Sequence, residues 1–185
     1  MHGIIFTALK KYVRTRLGDE AWTNLRTAAG LGDRMYFSVQ AYPDEEMSAL
    51  IQTVAHLSGI TERQLLEDFG KSLAPEFLTI YKPLMQPDWR TLDLLEHLET
   101  RIHPAARTNN PGAAPPLLRV ERESRDRVVI WYQSERRWCA FGRGLIHGVA
   151  GYFGEQVTVT EPACMHNGAE SCHLVVVGPR SQPGS

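Results

Sequence analysis

The feature that most constrains this chain is a change of hydrophobic period past its midpoint. Up to Ile102 the apolar residues recur at helical spacing, and beyond Pro116 they fall in short β-branched runs. A period near 3.6 buries one stripe of a helix, and a period of 2 buries one face of a strand. The two patterns follow one another instead of interleaving as they would in a βαβ chain. That order predicts an α+β fold, with an N-terminal helical part followed by a four-stranded antiparallel sheet carrying one inserted helix.

The helical part divides at its own stop signals. "GIIFTALKKYVRTRLG" sets Ile5, Leu9, Tyr12, Val13 and Leu17 near one face and ends at Gly18. "DEAWTNLRTAAGLG" gives a second helix. "DEEMSALIQTVAHLSG" carries Met47, Leu50, Ile51, Val54 and Leu57 and stops at Gly59. Thr61 and Gln64 have capping-box spacing at the head of "TERQLLEDFGKSL". Pro87-Asp88 opens "WRTLDLLEHLETRIH", where Leu92, Leu95, Leu98 and Ile102 form the apolar stripe. His97 falls opposite that stripe, toward solvent, and His103 lies beside it. Pro104 is expected to end or kink this helix, leaving "PAARTNNPGAAPP" as a loop.

Strands are then expected at "LLRVERES" and "DRVVIWYQSE", around a turn near Ser124 to Asp126, and at "QVTVTEPAC" and "SCHLVVVG". Between the pairs, "WCAFGRGLIHGVAGYFG" reads as a helix whose glycines permit close packing. "PRSQPGS", residues 179–185, reads as a disordered tail. The rest, 1–178, forms one domain.

Several function classes fall away. The net charge of −1 offers no electrostatic footprint for nucleic acid. No apolar run approaches the ~20 residues that span a bilayer. The charges of the N-terminal segment follow its apolar part, the reverse of a signal peptide. With three cysteines and no export signal, the expected setting is the reducing cytoplasm, without a disulfide framework. There is no phosphate loop, HExxH motif or nucleophile elbow, and Ser134 has no evident base partner, so an enzyme is not expected.

Three constellations remain. Tyr132, Ser134 and Arg136 alternate, and on a strand all three would project to one face. A phenol, a hydroxyl and a guanidinium share the ability to donate to oxygen, and paired carboxylates are their natural target. The plainer reading is the polar face of a half-solvated sheet. His103, or else His97, is a candidate metal ligand beside an ordinary satisfied histidine. Cys139, Cys164 and Cys172, with Glu161 and His166 nearby, provide a four-coordinate zinc set or simply three reduced packing residues.

Together these residues resemble the heme nitric oxide/oxygen-binding (H-NOX) family, heme sensors related to soluble guanylate cyclase. The opening "MHGIIF" is similar to the family's first helix. "IHPAARTNNPGAAPP" is similar to its proximal histidine followed by a porphyrin-contacting proline, and Tyr132-x-Ser134-x-Arg136 matches its propionate clamp. The resemblance runs from Met1 to about Val177. It implies a heme b cofactor, with residues 1–60 as a mostly helical distal subdomain and 61–178 as the proximal, heme-binding one. Gap-free register places His103 as the iron ligand and Pro116 against the porphyrin; His97 would need a six-residue insertion. Ile5, Leu9, Pro116 and Leu145 would cover the porphyrin faces.

Oxygen-binding members carry a tyrosine seven residues after the motif's serine, where this chain has Phe141, and Leu9 stands where some carry tryptophan. A phenyl ring donates no hydrogen bond to bound O2. The resemblance therefore implies a sensor that binds NO (and CO) and excludes O2, NO weakening the iron–His103 bond. Such a bacterial stand-alone member would signal in trans to a histidine kinase, or to a diguanylate cyclase or phosphodiesterase. Some bacterial members bind zinc through cysteines at these positions plus a histidine. Glu161 stands at the histidine's place here, so Glu161 or His166 would complete the set. The rival on the same fold is a heme-independent zinc/thiol redox sensor.

Overall fold

A computed structural model describes residues 1–179; the tail expected over 179–185 lies, from residue 180 on, outside the described residues. The order is helical first and sheet second, as the change of period requires. Helix α1 (Gly3–Leu17) buries Phe6, Leu9, Tyr12 and Val13. Helix α2 (Ala21–Ala28) adds Trp22 and Leu25. Helix α3 (Asp44–Ser58) opens on three acidic residues, which favour the positive end of a helix, and ends at Gly59 with φ 67°, a conformation glycine adopts without strain.

Helix α4 (Glu62–Tyr81) starts at the Thr61/Gln64 capping box and runs beyond its sequence pattern, through Pro75 to Tyr81. Pro75 has no N–H to give to the carbonyl of Lys71, one turn back. The helix continues because tertiary packing holds it: Ala74 and Leu78 are buried on either side of the proline.

The segment expected as one helix over 89–103 is three. Helix α5 (Thr91–Glu96) is followed by a π-helical turn, Leu98–Ile102, and then by helix α6 (His103–Asn109). The expectation that Pro104 ends the helix is corrected. Pro104 lies in the first turn of α6, where its missing N–H and fixed φ are tolerated. The wide turn also overturns the solvent-facing placement of His97. Its ring stacks on Trp89, with centroids 4.5 Å apart, and its Nδ1 lies 2.8 Å from the carbonyl of Asp93.

The four strands are β1 (Leu117–Ser124), β2 (Arg127–Gln133), β3 (Thr158–Ala163) and β4 (Cys172–Val177), with α7 (Cys139–Tyr152) inserted between β2 and β3. They pair in the order β1-β2-β4-β3, every pair antiparallel. The centre of β2 is accordingly the apolar run Val128, Val129, Ile130, all buried. Helices α4 and α7 cross at glycines: a Cβ on Gly144 would stand 2.0 Å from the carbonyl oxygen of Glu67, and one on Gly70 would stand 2.3 Å from that of Phe141.

One core cluster joins α1, α2 and α3 to Leu65, Leu66, Phe69 and Leu73 of α4 and to Ala140 of α7. Packing is thus continuous across residue 60. Among the described residues no helix is long and apolar enough to cross a membrane.

Candidate functional site

A largely apolar cavity of about 260 Å³ opens between the start of α1, the second half of α4, the segment from α5 to α6, the 113–116 loop and α7 over the sheet. Ile5, Pro116, Phe141 and Leu145 are on its wall. Leu9, also expected against a cofactor face, is not on the wall; it is fully buried in the helical cluster, one helical turn beyond Ile5. His97 is not on the wall either.

His103 is on the wall, its side chain 14% exposed. Its Nδ1 lies 2.8 Å from Oε2 of Glu99. Burial works against a charge on Glu99, but hydrogen bonds from Arg107 and His103 outweigh it and hold the carboxyl below its usual pKa. An ionised carboxylate only accepts, so Nδ1 carries the proton and Nε2 keeps the lone pair. Burial also lowers the pKa of His103, against the pull of Glu99. A neutral imidazole with one nitrogen fixed as donor and the other free is the form that ligates a metal. Sequence reasoning missed Glu99, although its place four residues before His103 is a visible helical-face signal.

Tyr132, Ser134 and Arg136 do line one end of the cavity, but not through strand alternation. Strand β2 ends at Gln133, and the next residues turn: Arg137 N–H donates to Ser134 O at 3.0 Å, Arg136 N–H reaches Ser134 Oγ at 3.3 Å, and Arg137 has φ 53°. The turn, closed by the hydroxyl of Ser134, brings the three together. Tyr132 is buried, and desolvation pushes its phenol up to about 12, so it remains a donor at neutral pH. Arg136 Nε donates to Asp44 Oδ2 at 2.6 Å and Nη1 to the carbonyl of Ala114 at 2.7 Å. The guanidinium is thus held in a carboxylate-binding pose. Asp44, 92 positions away, left no local sign of this contact.

His2 is a second residue that sequence reasoning missed. It lies on the cavity wall, 4% exposed, and neither ring nitrogen has a hydrogen-bond partner among the described residues. A buried, unsatisfied imidazole is costly unless something polar occupies the cavity.

The cysteines form a separate group. Cys139 Sγ is 3.7 Å from Cys164 Sγ, which is 3.6 Å from Cys172 Sγ, and a Glu161 oxygen completes a set whose atoms all lie within 4.8 Å of one another. Glu161 is held at Oε2 by Arg63 at 2.9 Å, while its Oε1 is buried with no hydrogen-bond partner among the described residues. His166 is excluded from this group: its ring is exposed and its Nε2 pairs with the carbonyl of Arg137 at 2.8 Å. Burial pushes the Cys172 thiol up to about 11 and Cys139 higher still. All three cysteines are free thiols.

The match to known proteins follows these features. The family model described as Haem-NO-binding matches residues 2–161, most of the chain. The chain belongs to this family. An H-NOX protein from S. oneidensis, solved in the Fe(II)NO state, superposes with a TM-score of 0.91 at 24% identity, over 97% of this chain and all of that one. An unliganded Fe(II) H-NOX protein from K. algicida superposes at 0.86 and 21% identity over the whole of both. At these identities the likeness shows the fold. Soluble guanylate cyclase gcy-31 of Caenorhabditis elegans is 24% identical over 82% of this chain, and the chain spans about a fifth of it, 21% of its length.

Proposed function

We propose that this chain is a sensor that holds ferrous heme b and binds NO while excluding O2. The observation that carries the reading is the pairing, on one apolar cavity, of a neutral His103 whose Nε2 is free with a donor cluster at Tyr132, Ser134 and Arg136. His103 would be the iron ligand, and Arg136 and the two hydroxyls would bind the propionates, Asp44 sharing the guanidinium. Bound heme supplies a ferrous iron at which diatomic gases coordinate. A non-covalent heme fits, because the three cysteines form no CxxCH attachment motif.

The exclusion of O2 rests on Phe141. Its ring packs against Phe69 and Trp138, with centroids at 5.3 and 5.8 Å, and places no donor at that part of the wall. The ferrous protein is expected to form stable NO and CO complexes and no stable oxy complex in air, and Phe141→Tyr to gain one. Absorption spectra under the three gases check this; an air-stable oxy spectrum in the wild type would overturn the selectivity.

The signal would leave through His103, the π-helical turn and α6, the segment that would carry the iron ligand. Resemblance makes a histidine kinase, or a diguanylate cyclase or phosphodiesterase, the expected partner, in the cytoplasm that three buried free thiols suit. The domain itself would not catalyse a reaction.

A second, compatible reading is a structural zinc at Cys139, Cys164, Cys172 and Glu161. It is favoured by the three converging thiols and the unpartnered Oε1 of Glu161. The grouping of Glu161 with the three thiols supports it over His166 as fourth ligand. Burial raises the thiol pKa of Cys139 and Cys172 and makes them poor nucleophiles, which weighs against a thiol redox sensor without metal. Protein purified without added zinc is expected to hold close to one zinc per chain, lost in Cys164→Ala and Glu161→Ala and kept in His166→Ala. Metal analysis decides: a metal-free wild type whose thiols alkylate freely removes the site and leaves the heme reading intact.

A further inference from the structure

We infer that Glu99 and Arg107 act as an opposed pair that sets how strongly His103 would donate to a bound iron, and thereby how far that bond would resist a competing gas ligand. The inference rests on the heme reading above. Glu99 presents one oxygen to each partner: Oε2 to His103 Nδ1 at 2.8 Å, and Oε1 to Arg107 Nη2 at 2.8 Å. The backbone builds this arrangement from consecutive short elements. Glu99 lies in the π-helical turn, and His103 and Arg107 lie one and two turns on, in α6. All three are half-buried, so their bonds are less screened than those of an exposed pair.

A carboxylate accepting from Nδ1–H draws that proton toward itself and leaves the ring with partial imidazolate character, which strengthens donation from Nε2. Arg107 withdraws charge from the same carboxylate and weakens that pull. The two side chains therefore push the iron–histidine bond in opposite directions, and the strength that results is intermediate. NO would compete for the iron with a histidine whose hold depends on Glu99, a carboxylate that is not itself on the cavity wall.

Opposite action is what the experiment reads, because a merely structural role for both residues would move them together. The iron–histidine stretching band of the ferrous holoprotein, followed by resonance Raman, is expected to fall in Glu99→Gln and to rise in Arg107→Ala. Glu99→Gln keeps shape and a hydrogen-bond acceptor but removes the charge. On NO addition, Glu99→Gln is expected to hold a larger fraction of five-coordinate nitrosyl heme than the wild type, and Arg107→Ala a smaller one. Bands that stay in place, or that shift in the same direction, overturn the inference. Failure of the underlying reading looks different: a wild type without a Soret band after heme reconstitution, or a Soret spectrum indifferent to His103→Gly, removes the heme assignment itself.

Discussion

Replacing His103 with glycine is expected to abolish the five-coordinate ferrous spectrum of the heme-loaded protein, and added imidazole to restore it. The side chain is removed from the cavity wall, and His97 cannot replace it: it is not on that wall, and it is turned onto Trp89 with its Nδ1 on the carbonyl of Asp93. Truncation to glycine leaves a hole of the shape of the lost ring, lined by Glu99, whose carboxylate can accept from free imidazole as it accepts from His103 Nδ1. His97→Gly removes an aromatic stack on Trp89, away from the cavity wall, and should leave the spectrum as it was. Absorption spectra of the two ferrous variants, with and without imidazole, check the assignment. The reverse pattern, loss in His97→Gly and retention in His103→Gly, would transfer the ligand role to His97.

The same segment shows what could be read in the residues and what could not. Helix starts and stops at Gly18, Gly59 and the Thr61/Gln64 box are local chemistry, and they stand in the structure where the sequence places them. The strands were legible because β-branched runs have few other uses. Pro104 was misread because a proline after an apolar stripe is compatible both with the end of one helix and with the first turn of the next. Only the π-helical turn before it separates the two cases, and that turn has no compositional mark. Ser134 and Arg136 converge for another local reason than strand alternation: they lie one and three residues past the end of β2, where a turn brings them together. The links from Asp44 to Arg136 and from Glu161 to Arg63, and the burial of His2 against the cavity, are products of tertiary folding across 92 and 98 positions or more than one element, and no window of sequence contains them. Glu99 differs. It is legible as an i−4 partner of His103, although a glutamate on a helix usually faces solvent.

The glycines of α7 carry the other large effect. Gly144→Ala is expected to destabilise the protein by about 3 kcal/mol, at the upper end of what overpacking a core costs. The new Cβ would stand 2.0 Å from Glu67 O, 2.8 Å from Glu67 C and 2.9 Å from Lys71 N. These are backbone atoms inside helix α4, so no side-chain rotation relieves the clash and the two helices must separate. Gly148 is pinned in the same way, against Lys71 O and Ala74 Cβ, both at 2.5 Å, so the helices cannot hinge about that neighbouring contact. Lys71 O is the carbonyl that Pro75 leaves without its helical donor, so it can lie bare against the glycine. The separation has a functional reading, because α4 contributes Ala74 and Leu78 to the cavity wall and α7 contributes Phe141 and Leu145. Heme is accordingly expected to leave Gly144→Ala faster than the wild type. Gly151, on the same helix, is the control: a Cβ there meets nothing within 4 Å. Gly151→Ala should stabilise by roughly 0.5–1 kcal/mol, the ordinary gain of alanine over glycine in a helix. At this chain length 1 kcal/mol moves the midpoint by about 2–4 °C. Thermal unfolding of the two variants should therefore split to opposite sides of the wild type. A Gly144→Ala protein that melts with the wild type would mean that α4 and α7 do not approach at these glycines, and the cavity walls they carry would have to be drawn again.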